Sequence, residues 1–133
     1  MKAFDTNAVI RYLVRDDEVQ AQAVRGILIS AAKEDSPVCI PTLVALEVIW
    51  VLSSSYGFCR EDIITAFENL LALPEVRFEN PDTIADFCLA ARRVSGELAD
   101  ILIGVSAMRI GCAKVLTFDR RASKMIFFEA INK

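Results

Sequence analysis

Residues 1–7, Met1-Lys2-Ala3-Phe4-Asp5-Thr6-Asn7, decide how the rest of the chain is read. Lys2 to Phe4 is a minimal apolar strand that ends on a carboxylate, and Asp5, Thr6 and Asn7 are residue types that cap helices. Ala8, Val9, Ile10, Leu13 and Val14 then recur at helical spacing, so the strand hands directly to a helix. The pattern returns near the other end, where Lys114-Val115-Leu116-Thr117-Phe118 is strand-like and delivers Asp119.

Between these ends, helical and strand-like runs alternate. Asp16-Asp17-Glu18 opens a helix with an apolar stripe of Val19, Ala23, Ile27 and Ala31, and Ser36-Pro37 ends it. Val38-Cys39-Ile40 is a short strand, and Thr42 is the expected N-cap of an almost wholly apolar helix, Leu43 to Leu52. Arg60 to Leu73 forms a helix with Ile63, Ile64, Phe67, Leu70 and Leu71 inward, followed by a strand at Val76-Arg77-Phe78. Asn80-Pro81-Asp82 opens a helix that buries Ile84, Phe87, Cys88 and Ala91. Glu97-Leu98-Ala99-Asp100 begins another, with Gly111 as its C-cap. This alternation predicts an α/β fold with a mainly parallel sheet of about four or five short strands and helices on both faces. No repeat or linker divides the chain, so residues 1–133 are read as one domain.

Composition narrows the chemistry. With 54% hydrophobic residues, 5 Gly and 4 Pro, the 133-residue chain can bury a substantial core. No apolar run approaches the roughly 20 residues that span a bilayer, and no signal peptide is evident, so a cytoplasmic location is expected. Cys39, Cys59, Cys88 and Cys112 never form a C-x-x-C pair and are expected to be reduced core thiols. The chain has no histidine, which excludes a Ser-His-Asp triad, a Cys-His pair and histidine acid-base catalysis. A net charge of -3 ordinarily disfavours nucleic acid as a partner. Two divalent ions held by carboxylates would move that charge to about +1.

Four acids stand in apolar surroundings. Asp5 and Asp119 follow strands, and ligands of parallel sheets bind beyond the carboxyl ends of strands. Glu47 is the one non-apolar residue from Leu43 to Leu52, and Leu43, Val44, Trp50 and Val51 offer it no helical cation. A helix apolar all round predicts burial, where an ionised Glu47 is costly without a partner. Asp100 shares a helix face with Glu97, and no basic residue lies on it. Singly, Asp5, Asp100 and Asp119 are equally explained as helix caps, and Glu47 by a distant cation. Together they point to a shared Mg²⁺ or Mn²⁺ site, because oxygen-only ligands select such ions over zinc.

Asp5-Thr6-Asn7, Glu47 in its apolar helix, Ala99-Asp100 and Leu116-Thr117-Phe118-Asp119-Arg120-Arg121 resemble, in order and spacing, the motifs of PIN-domain ribonucleases. The similarity is greatest to VapC-type toxins of toxin–antitoxin pairs and runs from Asp5 to about Lys124. The resemblance implies a metal-dependent endoribonuclease in which Asp5, Glu47, Asp100 and Asp119 are the catalytic metal ligands for one or two Mg²⁺ or Mn²⁺ ions. Thr6, Asn7 and Thr117 would be polar support. Glu97 stands where close relatives more often carry aspartate, and is auxiliary. Arg120, Arg121 and Lys124 are candidate contacts to RNA phosphates, or a solvated helix face. Expected partners are RNA, a small antitoxin and a second copy of the chain. The alternative is a non-catalytic PIN-like module that binds RNA or protein. A haloacid-type hydrolase is disfavoured by Asn7, where that chemistry wants aspartate, and a receiver domain by the absence of paired acids at the first strand end.

Overall fold

The computed structural model describes residues 1–131. Six α-helices and four three-residue strands are found among them: α1 (Thr6–Val14), α2 (Glu18–Glu34), β1 (Val38–Ile40), α3 (Thr42–Ser54), α4 (Arg60–Ala72), β2 (Val76–Phe78), α5 (Pro81–Arg93), α6 (Leu98–Arg109), β3 (Val115–Thr117) and β4 (Phe128–Ala130). A 3-10 turn, Ala122–Lys124, lies between β3 and β4. The order is α/β and every strand pairing is parallel, as the alternation predicts. No described helix is long and apolar enough to cross a membrane. The chain forms two compact units, Met1–Pro81 and Asp82–Lys133.

In the first unit β1 is central. It pairs with β2 in the register Val38 to Val76, Cys39 to Arg77 and Ile40 to Phe78. On its other side the expected first strand shrinks to a single bridge, Ala3 to Cys39, held by Phe4 N–H to Cys39 O at 2.9 Å and Cys39 N–H to Lys2 O at 2.8 Å. Asp5 ends the ladder because its side chain already caps α1, accepting from Ala8 N–H. Asp17 caps α2, while Asp16 turns aside to Arg11 and Tyr56.

The stripe of α2 is offset from the expected one. Ala21, Val24, Leu28 and Ala31 are buried, whereas Val19 and Ile27 are 81% and 48% exposed. Both stripes fit a 3.6 period, and Arg11 Nε to Gln20 Oε1, at 2.6 Å, fastens the helix in the observed rotation.

Two corrections concern α3. Pro41, not Thr42, is its N-cap, and the Thr42 N–H is satisfied from a distance by Glu79 Oε1 at 2.9 Å. Asn80 Nδ2 donates to Thr42 Oγ1 at 2.9 Å. The helix is also not buried all round: Ala45, Val48, Ile49 and Leu52 face the core, while Leu43 and Trp50 are 81% and 64% exposed. In α4 the core face is Ile63, Ile64, Phe67 and Leu70, with Leu71 half-buried, and Phe67 stacks on Phe78 of β2 at 5.9 Å.

The second unit joins α5, α6 and the β3–β4 pair. Ile84, Phe87, Cys88 and Ala91 of α5 are buried as expected, and Leu98, Ile101, Leu102 and Val105 form the matching face of α6. Arg109 ties the helices together through Asp86 at 2.7 Å. Ile110, not the expected Gly111, is the C-cap of α6, and Gly111 follows one residue later with φ 94°. β3 pairs with β4 from Val115–Phe128 to Thr117–Ala130. The sequence after Lys124, which carried no functional expectation, thus supplies a strand.

The thiols divide. Cys88 is buried and Cys39 intermediate, but Cys59 and Cys112 are exposed, because both lie in turns outside the apolar faces.

Candidate active site

In the first unit, the acids meet at the amino end of α1. Asp5 Oδ1 accepts from Ala8 N–H at 2.9 Å, which satisfies one of the open donors of the first turn and leaves the second carboxylate oxygen without a protein partner among the described residues. Thr6, the first helical residue, donates its hydroxyl to Glu47 Oε1 across the packed α1–α3 pair. That bond draws Glu47 toward a helix end whose dipole favours negative charge. Asn7 is exposed.

Glu47 is exposed, contrary to its expected burial, because it lies on the outward face of α3 with Leu43 and Trp50. The desolvation argument therefore does not apply to it. The absence of a cation does: among the described residues no Lys or Arg forms a salt bridge with Asp5 or Glu47.

In the second unit, Asp100 sits in the first turn of α6 and is half-buried. Its carboxyl is pushed above the ordinary aspartate range, first by burial, then by the negative charges of Asp119 and Glu97. Those three acids share one electrostatic environment. Glu97 is the N-cap residue of α6 by position, but its side chain makes no capping bond.

Asp119 is held on both sides. Its N–H donates to Thr117 Oγ1 at 3.0 Å, and its Oδ1 accepts from Ala122 N–H at 2.9 Å. Thr117, expected as polar support, thus bonds to the backbone of Asp119. Arg120, Arg121 and Lys124 are exposed and have no ion-pair partner among the described residues. They occupy a turn and a single 3-10 turn, not a helix face.

As the side chains stand, no three carboxylate or thiol groups are gathered to hold a metal ion among the described residues. The donor chemistry nonetheless fits a hard divalent cation: the acids are oxygen ligands, they form no salt bridge among the described residues, and Asp100 experiences the repulsion that a bound cation relieves. Asp5 and Asp119 each spend one oxygen on a backbone N–H, which fixes the carboxylate and leaves the other oxygen available.

Two positioning residues were not legible from the sequence. Glu79 and Asn80 anchor the amino end of α3, which carries Glu47, from 37 and 38 residues away. No local pattern marks a cap supplied from such a distance.

Comparison with known proteins bears on the family. A VapC ribonuclease of Aquifex aeolicus (strain VF5) is 24% identical to this chain over 127 residues, covering 96% of this chain and 93% of that protein. No solved structure matches the chain significantly. The family model of the PIN domain matches residues 2–127, running through both compact units and all four acids. On that match, the chain belongs to the PIN domain family.

Proposed function

We propose that this PIN-domain chain, acting as one domain over residues 1–133, is a divalent-metal-dependent endoribonuclease and the toxin of a toxin–antitoxin pair. Asp5, Glu47, Asp100 and Asp119 are its ligand set, with Glu97 auxiliary, and one or two Mg²⁺ or Mn²⁺ ions are its cofactor. The observation that carries this reading is that all four acids lie within a PIN match, have no cationic partner among the described residues, and include a carboxyl crowded by its acidic neighbours. The similarity to a protein named VapC ribonuclease supports RNA as substrate.

A divalent ion supplies Lewis-acid stabilisation and acidifies water for attack on a phosphodiester. The chain's own residues orient the reaction. Thr6 fixes Glu47, while Thr117 and Ala122 fix Asp119. Arg120, Arg121 and Lys124 present positive charge to RNA phosphates, setting register without reading bases. Water attacks phosphorus, the bond to the 3′ oxygen breaks, and the products carry 5′-phosphate and 3′-hydroxyl ends. Exposed Leu43 and Trp50, flanking Glu47, support a partner surface for an antitoxin or a second copy of the chain. A cytoplasmic location goes with these partners.

The test is cleavage of total cellular RNA by purified protein with Mn²⁺, with EDTA, and with Asp100→Asn. Discrete metal-dependent fragments that vanish in the variant support the nuclease. Equal behaviour of wild type and variant, together with no Mn²⁺ uptake in calorimetry, replaces it with a non-catalytic module that binds RNA or protein.

A further inference from the structure

We infer that Phe118 is a stacking platform for an unpaired RNA base, with Arg120, Arg121 and Lys124 as its phosphate contacts, holding that base beside Asp119. The inference rests on the nuclease reading and adds to it a residue that positions the substrate.

Of the eight phenylalanines, Phe118 alone is exposed, at 76%; the others are buried or half-buried. It forgoes the burial that the rest of its kind obtains, and it does so at the residue preceding a candidate catalytic carboxylate. The backbone around it is pinned. Ile131 N–H donates to Thr117 O at 2.9 Å, and Asp119 N–H donates to Thr117 Oγ1 at 3.0 Å. On the far side Ser123 N–H donates to Asp119 O at 3.0 Å, and Ser123 Oγ donates to Arg120 O at 2.8 Å. A ring on a fixed backbone has only two side-chain torsions to order, so it binds at low entropic cost.

The surroundings favour nucleic acid over protein. β3 alternates, with Val115 and Thr117 half-buried and Leu116 and Phe118 outward. The register sets Glu129 opposite Leu116, so a charge interrupts that outward face, and Ile131, 46% exposed, follows the strand beyond it. Beyond Phe118 the chain presents three exposed cations in five residues, 120–124, without salt-bridge partners among the described residues. An aromatic face beside free guanidinium and ammonium groups is the combination that single-stranded RNA uses, through base stacking and backbone charge. A base inside a duplex cannot reach such a ring.

The experiment measures fluorescence anisotropy of a fluorescein-labelled, mixed-sequence single-stranded RNA of about 12 nucleotides, a length within the range of known single-strand sites. Binding is compared for Phe118, Phe118→Ala, Phe118→Leu and Phe118→Tyr, each in an Asp100→Asn background that keeps the probe intact. The expected result is an affinity loss of about tenfold for Ala and for Leu, and retention for Tyr, since stacking needs a π face and not merely an apolar one. In otherwise wild-type protein, Phe118→Ala should raise KM for Mn²⁺-dependent cleavage with little change in kcat. If Leu binds as well as Phe, or Ala changes nothing, the platform is overturned while the nuclease stands. Altered oligomeric state in Phe118→Ala with unchanged RNA affinity overturns it in favour of a protein contact. Wild type that neither binds nor cleaves RNA overturns the nuclease reading and the platform with it.

Discussion

Gly104→Ala adds one methyl group to α6 and should destabilise the protein. A Cβ built on Gly104 would lie 2.5 Å from Phe127 Cβ, 2.6 Å from its Cγ and 2.7 Å from Cδ2. Carbon atoms in contact sit about 3.5–4.0 Å apart, so the helix and the segment carrying Phe127 must separate by about 1 Å. The atoms met are the root of the side chain, which cannot swing clear without moving backbone. Overpacking of this kind costs about 1–3 kcal/mol. Alanine in place of glycine returns about 1 kcal/mol of helix propensity, leaving a net loss of up to about 2 kcal/mol. Gly26→Ala is the matched control: Gly26 lies inside α2 with nothing within 4 Å of a built Cβ, so it keeps the helix gain without the clash. The two substitutions should therefore differ by about 1–3 kcal/mol in urea unfolding followed by circular dichroism. In melting temperature each kcal/mol is about 4 °C for a chain of this size. Equal effects of the same sign at both sites would refute the packing argument. Asp100 lies one turn before Gly104 on the same helix, so Gly104→Ala should lower metal-dependent cleavage as well.

Three further outcomes follow from the site. In metal-free protein the folded pKa of Asp100 lies above its unfolded value, so the fold holds the proton more tightly and loses stability as pH rises from the unfolded value through the folded one. Asp100→Asn should then raise the melting temperature in EDTA near pH 7 and make little difference below about pH 3.5; a variant less stable than wild type near neutrality would contradict the burial of Asp100 and its crowding by Asp119 and Glu97. Thr6→Val removes the hydroxyl that donates to Glu47 and should weaken Mn²⁺ binding about tenfold in calorimetry, an effect typical of losing a group that orients a ligand. Unchanged affinity would show that Glu47 needs no help from Thr6. Glu79→Ala removes the acceptor for Thr42 N–H and should cost about 1 kcal/mol, with Glu79→Gln losing less; equal losses would mean that charge and not the accepted hydrogen bond matters.

Much of this molecule was legible because its signals are local. The α5 face of Ile84, Phe87, Cys88 and Ala91 follows from periodicity, and Asp5 as a cap follows from residue type and position. Thr117, named only through the resemblance to PIN-domain ribonucleases, accepts a hydrogen bond from the Asp119 N–H. What could not be read depends on the rest of the fold. α2 offers two apolar stripes of equal period, and tertiary contacts such as Arg11 to Gln20 accompany the one that is buried. In α3, hydrophobicity on all sides predicted full burial, but Leu43, Glu47 and Trp50 line a face that the chain leaves open. β4 was missed because Phe128-Glu129-Ala130 is too short to carry a period, and its identity as a strand comes from pairing with β3. Of the acids, each one's setting was legible in part, with Asp5 capping α1 and Asp119 accepting from Ala122 N–H, each through one carboxylate oxygen.

The β3–β4 pair also bears on how the protein comes into being. Among the described residues β4 is the partner strand of β3, and it is made after the strand it completes. At about 5–20 residues per second, synthesis leaves β3 without its ladder for on the order of a second after Asp119 has been added. Phe127, which closes against Gly104 of the Asp100 helix, is likewise made after Asp119. The chain therefore lays down Asp5 and Glu47 early and supports Asp100 and Asp119 late. A nascent polypeptide halted before Phe128 carries every candidate acid yet lacks the strand that pairs with β3, so competence waits on β4 and is not gained gradually along the chain.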